Sequence, residues 1–303
     1  MIPQTAAEKL LVPGEDAGER LDRFLARALS VQVERARALV AQGRVRIRGR
    51  TCSPHRKLFG GEEVEVTRPA PRAAAAAADE PALAALFDDP DCLVVDKPAG
   101  LPVEPARPGA PSAVGAASRL GRFDVAGRAL PGLAHRLDRD TSGCLLLARH
   151  DRALAALKGA FEAGRVEKSY LALVAGTPPD EGRLDTPYAR DPADPRRFTG
   201  RVASARRARL RYRVRERLRG AALVEVRLET GRTHQIRVQL SEAGYPVLGD
   251  AVYGVAAPGL ARQALHAWRL AFPAPSGAAV AVEAPVPADL ARAVAALREE
   301  PRG

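Results

Sequence analysis

Seven arginines occupy every second position from Arg207 to Arg219, with Leu210, Tyr212 and Val214 standing between them. Successive side chains of a β-strand alternate between its two faces. The segment therefore reads as a strand with one cationic and one apolar face, and the fold has to house it with the apolar face against a core. A solvated strand face ordinarily mixes both signs of charge, yet the acid in this run, Glu216, falls on the other parity. Arg209, Arg211 and Arg213 are accordingly expected to meet phosphate, with a plain solvated face as the alternative.

A second cationic run lies between Arg20 and Lys57, where Asp22 and Glu34 are the only acids. The 303-residue chain carries 47 Lys+Arg against 36 Asp+Glu, a net charge of +11 and a sequence pI of about 10.3, the balance expected of a nucleic-acid binder. Five of those cations are lysine (Lys9, Lys57, Lys97, Lys158 and Lys168), so a coding bias toward arginine would inflate the total. Clustering is therefore the better guide, and it marks Arg35, Arg44, Arg46 and Arg48 as a further phosphate-facing group.

Residues 12–68 read as a small module. Leu21, Phe24, Leu25, Ala28 and Leu29 follow the spacing of one helix face, and Val33, Ala36, Leu39 and Val40 that of a second, closed by Gly43. Val45 and Ile47, then Val64 and Val66, alternate as short strands. Residues 69–81, with six alanines at 73–78, read as a linker. In the remaining domain, 82–303, strands are expected at Cys92–Val95, Leu145–Ala148, Glu167–Ala175, Ala208–Val214 and Ala222–Leu228, and a helix through Leu154, Leu157 and Phe161. Several strands follow one another without a helix between them, which favours an α+β domain with a mixed, mainly antiparallel sheet over a doubly wound one.

Most chemistries are poorly represented. Cys52, Cys92 and Cys144 lie far apart with no C-x-x-C pair, which argues against a disulfide framework or a zinc ribbon and fits a reducing compartment. The five histidines show no ligand spacing, and there is no P-loop, dinucleotide fingerprint or Gly-x-Ser-x-Gly, so neither a metal nor another cofactor is expected. Ser142, in Thr-Ser-Gly, reads as a hydrogen bonder in a turn. The N-terminal residues lack a secretory pattern, and no apolar run approaches the ~20 residues that would span a bilayer, so a cytoplasmic protein without membrane contact is expected. Two segments are dense in reactive groups: His135-Arg136-Leu137-Asp138-Arg139-Asp140-Thr141-Ser142-Gly143 and Thr230-Gly231-Arg232-Thr233-His234-Gln235-Ile236-Arg237. Spacing alone leaves open whether they form an active site or two polar loops tied by Arg–Asp ion pairs.

These residues resemble a known family. His135 to Gly143 is similar to the catalytic motif of the RluA-type, large-subunit-type RNA pseudouridine synthases. Val94 to Val103, Lys168-Ser169-Tyr170-Leu171-Ala172 and Leu228 to Gly254 match the same family in order, and residues 12–68 resemble the α-L RNA-binding module that many members carry in front. Asp96, Glu104, Leu210 and Ala274 depart from its common residues, outside the central positions.

The resemblance implies the pseudouridine synthase fold and a cofactor-free isomerase. Uridine in RNA is detached at its glycosidic nitrogen, turned in place and rejoined through carbon 5. Asp138 would be the nucleophile, attacking the uracil ring or the sugar. Arg237 would pair with Asp138 and offset the cost of holding a carboxylate in a cleft. Tyr170 would stack on the flipped base and assist proton removal. Arg136 would fill the vacated stack, Ile236 would floor the pocket, and His135, Arg139, Lys168, Arg232 and His234 would contact RNA. A lysine-poor chain that keeps Lys97 and Lys168 inside these motifs points to a need for a compact ammonium there. Large-subunit ribosomal RNA is the expected substrate, with transfer RNA, or a non-catalytic RNA-binding role in ribosome assembly, as alternatives. A monomer is expected.

Overall fold

The computed structural model describes residues 7–29, 31, 33–67, 80–107, 109–257 and 259–298. The expected linker at 69–81 thus falls, through residue 79, outside the described residues.

The first unit packs helices Leu21–Ala28 and Val33–Ala41 on a sheet ordered Ala7–Leu11, Glu63–Thr67, Val45–Ile47, Arg50–Thr51. Its core is the apolar set expected of those faces: Leu21, Phe24, Leu25, Leu29, Ala36, Leu39, Val40, Val45, Ile47, Val64 and Val66. Ala28 differs, being exposed while Ala26 is buried. Gly43 has φ of 68°, the left-handed geometry that ends the second helix. Asp22 is fully buried beneath the first helix, where Arg20 and Arg37 grip it and hold its carboxyl far below the usual range. The unit begins before residue 12, because Ala7–Leu11 pairs with Glu63–Thr67. That strand leaves every side chain exposed or half-exposed, so it imprints no alternation on the sequence.

The larger body is built on a ten-stranded sheet. Its main path runs Glu181–Pro187, Arg207–Leu218, Ala221–Leu228, Glu167–Ala175, Leu265–Pro273, Ser142–Ala148, Cys92–Lys97, Ala84–Asp88. All pairings are antiparallel except one, at the centre, where His266 and Ala267 lie parallel to Ser142 and Gly143. At that joint the backbones nearly touch: a Cβ on Gly143, at φ of 109°, would sit 2.2 Å from the Ala267 carbonyl oxygen. The α+β class and the mainly antiparallel sheet therefore stand. Helix Asp151–Glu162 buries Ala153, Leu157 and Ala160 against one face. Helix Gln235–Glu242 follows the Ala221–Leu228 strand and contributes Ile236 and Leu240 to the other core. Ser142 is the first residue of a strand rather than part of a turn, and its hydroxyl lies 3.0 Å from His266 Nδ1 in the interior.

The arginine strand departs from a single cationic face. A bulge between Val214 and Glu216 shifts its register, so that Arg213 faces Glu225 but Glu216 faces Leu223 and Arg217 faces Ala222. Glu216 thereby joins the face of Arg213, and Arg217 leaves it. Acids arriving from neighbouring strands also meet the arginines. Asp185 pairs with Arg207, Glu229 with Arg209 and Arg211, and Glu225 with Arg213 and Arg215. The expectation of an uncompensated cationic face is therefore corrected: its partners lie from 10 residues away in sequence (Arg215 and Glu225) to 37 (Arg217 and Asp180), beyond the reach of a local pattern.

Candidate active site

The two reactive segments converge at the central joint of the sheet. One leads into the Ser142–Ala148 strand. The other turns from the Ala221–Leu228 strand into helix Gln235–Glu242, with His234 at its N-terminus in the left-handed conformation (φ 58°). Buried Gln235 holds this turn. Its oxygen accepts from the Thr230 hydroxyl (2.7 Å) and the Arg232 backbone N–H (3.0 Å), and its amide donates to the Arg209 carbonyl (2.9 Å).

One turn into the helix, Arg237 is almost fully buried and spans two carboxylates. Nη1 donates to Asp138 Oδ2 at 2.9 Å, while Nε and Nη2 form a bidentate pair with Asp250 at 2.6 and 2.8 Å. The backbone N–H groups of Val252 and Tyr253 also donate to Asp250. Burial tends to raise the Asp250 pKa, but this cage holds it below the ordinary carboxylate value. The guanidinium is thus aimed at Asp138 by an anion that is itself fixed. Gln263 reaches the same Asp138 oxygen at 3.5 Å and Thr141 Oγ1 at 3.0 Å, and the other oxygen, Oδ1, faces His234 Nε2 at 4.0 Å.

Lys97 explains its own residue type. It is wholly buried, and its three N–H donors satisfy the carbonyls of Pro98, Leu101 and Arg139, each at 2.8 Å. A compact ammonium ties the 98–101 turn to the loop bearing Asp138, and a planar guanidinium could not reproduce that cage. Burial draws its pKa down to about 8 despite the pull of Asp140 and Asp138. Lys168 lies on the same face of its strand as Tyr170, with its ammonium 5.6 Å over the Phe161 ring and burial lowering its pKa.

The other expected site residues sit in different surroundings. Tyr170 is buried, and that burial, with the Asp138 charge second, holds its phenol well above the ordinary value. It is therefore a neutral phenol at physiological pH. The His135 ring lies 5.2 Å from Phe161, its Nε2 accepts from the Leu146 backbone N–H, and burial drives its pKa down to about 4. Ile236 is buried in the core beneath the site with Tyr170 and Leu137. Arg136 and Arg139 are exposed, Arg136 with Glu104 at 3.8 Å and Arg139 closing on Asp140. Arg232 is exposed and donates to the Arg207 carbonyl. In the first unit, the described ion pairs take up Arg20, Arg27, Arg37 and Arg56. Arg44, Arg46 and Arg48 stand outside them, and the Arg35 guanidinium lies against Gly127 of the larger body.

No local pattern in the sequence marks Asp250, Gln263 or Tyr253 as site residues. Asp250 carries a signal, since it lies inside the matched stretch Leu228 to Gly254, but nothing local marks its partner. A cavity of about 440 Å³ lined by Asp96, Lys97, Ser142 and Arg262 includes none of Asp138, Tyr170 and Arg237. Among the described residues no group of acids, cysteines and histidines could hold a metal, and no helix is long and apolar enough to cross a membrane.

Residues 91–242, which include Asp138 and Arg237, match the family model for RNA pseudouridylate synthase. The chain is 41% identical, over 93% of its length and 90% of the relative's, to an uncharacterized RNA pseudouridine synthase of Chloroflexus aurantiacus. It is 38% identical, over 98% and 94%, to the ribosomal large subunit pseudouridine synthase D of Xanthomonas campestris pv. campestris. The solved structure of human RNA pseudouridylate synthase domain containing 4 superposes with a TM-score of 0.56 at 26% identity, covering 72% of this chain and 94% of that one. The chain belongs to the RluA-type RNA pseudouridine synthases and is an isomerase that acts on RNA.

Proposed function

We propose that the protein converts one or a few uridines of large-subunit ribosomal RNA to pseudouridine, with Asp138 as nucleophile. The observation that carries this reading is the 2.9 Å hydrogen bond from buried Arg237 to Asp138, with Arg237 locked from behind by Asp250. One carboxylate oxygen is held by a permanently charged donor while the other is left for attack, and Asp138 is accessible enough for a flipped base to reach it. Extracting the base from its stack costs a few kcal/mol, which exposed Arg136 offsets by entering the gap. Tyr170 supplies the stacking surface. Over the whole reaction C5 loses a proton and N1 gains one, so atoms and electrons balance without an external reductant or oxidant.

The ribosomal target is favoured by the printed function of relatives such as the Xanthomonas synthase, and by a basic front unit that extends the binding surface beyond a single stem-loop. Residues 12–68, together with the strand Ala7–Leu11, act in this reading as a separate RNA-gripping module and residues 82–303 as the catalytic body of a cytoplasmic monomer. Pseudouridine mapping by carbodiimide labelling and primer extension, on ribosomal and transfer RNA from cells with and without the gene, tests it. Loss of one or a few stops in large-subunit RNA is expected, restored by the wild-type gene and not by Asp138→Asn. Stops lost from transfer RNA would reassign the substrate. Turnover by the Asp138→Asn protein above a tenth of wild type would remove Asp138 as nucleophile.

A further inference from the structure

The Asp138 oxygen that Arg237 does not hold, Oδ1, faces a histidine whose other ring nitrogen is hydrogen-bonded to Tyr253. Tyr253 Oη accepts from the Phe198 backbone N–H at 2.9 Å and lies 3.1 Å from His234 Nδ1. A phenol has one proton to give, and Nδ1 is the acceptor in reach. Donation from Tyr253 to Nδ1 leaves the ring's proton on Nε2, the atom 4.0 Å from Asp138 Oδ1, whereas donation from Nδ1 to Tyr253 would leave Nε2 bare. The ring is fixed edge-on against Phe198 and Tyr253. Its backbone is held in the left-handed region, which a side chain with a Cβ adopts only when its surroundings impose it. The Tyr188 hydroxyl donates to the Thr233 carbonyl at 2.6 Å and pins the preceding residue.

We propose that His234 is a positioning residue for Asp138: kept as its Nε2–H tautomer by Tyr253, it presents a neutral N–H donor to the attacking oxygen and sets its direction. The inference rests on Asp138 being the nucleophile. The 4.0 Å gap is one short step outside hydrogen-bond range, and such contacts commonly tighten when substrate binds. Neutrality matters, because an imidazolium would bind Oδ1 as an ion pair and blunt its attack. The charged and titratable groups around the ring are Asp138, Arg237, Asp250 and Tyr253, with Arg197 over the outer face of the Tyr253 ring and Arg190 over Phe198. Burial is the largest influence on the ring and lowers its pKa, Arg237 adds to that, and the two aspartates oppose it.

Three substitutions separate this role from a purely conformational one. Asparagine suits the left-handed backbone, but its amide reaches only the Nδ1 position, whereas glutamine places an N–H near the Nε2 position. With RNA in single-turnover assays, His234→Gln is expected to stay within about threefold of wild type, while His234→Asn and His234→Ala lose about tenfold or more in rate with KM little changed. Nitrogen-15 spectra of the histidine-labelled protein should show Nδ1 unprotonated and Nε2 protonated at neutral pH, and Tyr253→Phe should mix the two forms. An Asn variant as active as the Gln variant, or a proton found on Nδ1, overturns the proposal. Asp138→Asn measured alongside keeps the two readings apart: its retained activity would sink the nucleophile while leaving the tautomer visible in the spectra.

Discussion

Arg237 shows how much of the site depends on one side chain. Its guanidinium makes two contacts to Asp250 and one to Asp138 from an almost fully buried position. Removing one member of such a network leaves an uncompensated buried charge, at about 3–5 kcal/mol. Arg237→Lys retains the charge but lacks the fork, so it can satisfy Asp250 or Asp138 and not both. Turnover is expected to fall about 100-fold or more while RNA affinity holds, read by single-turnover kinetics and filter binding; near-normal rates would leave Arg237 a structural ion pair. His135 gives a stability test. In the folded protein burial holds its pKa at about 4 against 6.5 for a free side chain. Between those values the unfolded chain takes up a proton that the folded one does not, so stability falls as pH drops from about 6.5 toward 4. The loss is roughly 3 kcal/mol at most, and His135→Gln should flatten that part of the denaturation-versus-pH curve.

At the scale of elements, the parallel joint between the Ser142–Ala148 and Leu265–Pro273 strands positions the Asp138 loop, and Gly143 makes that joint possible. Gly143→Ala adds a methyl 2.2 Å from the Ala267 carbonyl oxygen at a positive φ, and is expected to destabilise by about 3 kcal/mol or more and to impair turnover. Gly159, inside helix Asp151–Glu162, has no atom within 4 Å of an added Cβ. Gly159→Ala should therefore raise stability by about 0.5–1 kcal/mol, and thermal melts of the two variants should move in opposite directions. The strands themselves were largely legible: Glu167–Ala175 is read with its observed ends, and the alternation of the arginine run marks the Arg207–Leu218 strand. What escaped is non-local. The bulge at Val214/Glu216, the acids Asp185, Glu225 and Glu229 across the sheet, and the strand Ala7–Leu11 leave no periodic trace in their own neighbourhoods. The site divides in the same way. Asp138, Tyr170 and Arg237 stood out through the family motifs, but Asp250 and Gln263 act across 13 and 125 residues of chain.

For the whole molecule, a net charge of +11 has to be weighed by where it is already spent. Beside the arginine strand, Glu225, only 5% exposed, is shared by Arg213, Arg215 and Arg227, and Glu229 by Arg183, Arg209 and Arg211. A phosphate approaching this face meets guanidiniums already engaged, and each contact it gains is offset by an ion pair it disturbs. In the front unit Arg46 and Arg48 are exposed on and beside the Val45–Ile47 strand, outside the described ion pairs. Cations with no carboxylate at ion-pair distance release about one counterion for each phosphate they meet, whereas cations already neutralised by a carboxylate release fewer. Replacing Arg46 and Arg48 together by alanine should therefore lower the slope of log binding constant against log salt by about 2. The pair Arg211→Ala and Arg213→Ala should change it by less than half as much, because each loss also frees an acid. Filter binding of a ribosomal RNA fragment over a salt series measures both. Equal slopes for the two double variants would mean that RNA displaces Glu225 and Glu229 on binding, and that the arginine strand is as much a phosphate surface as the front unit.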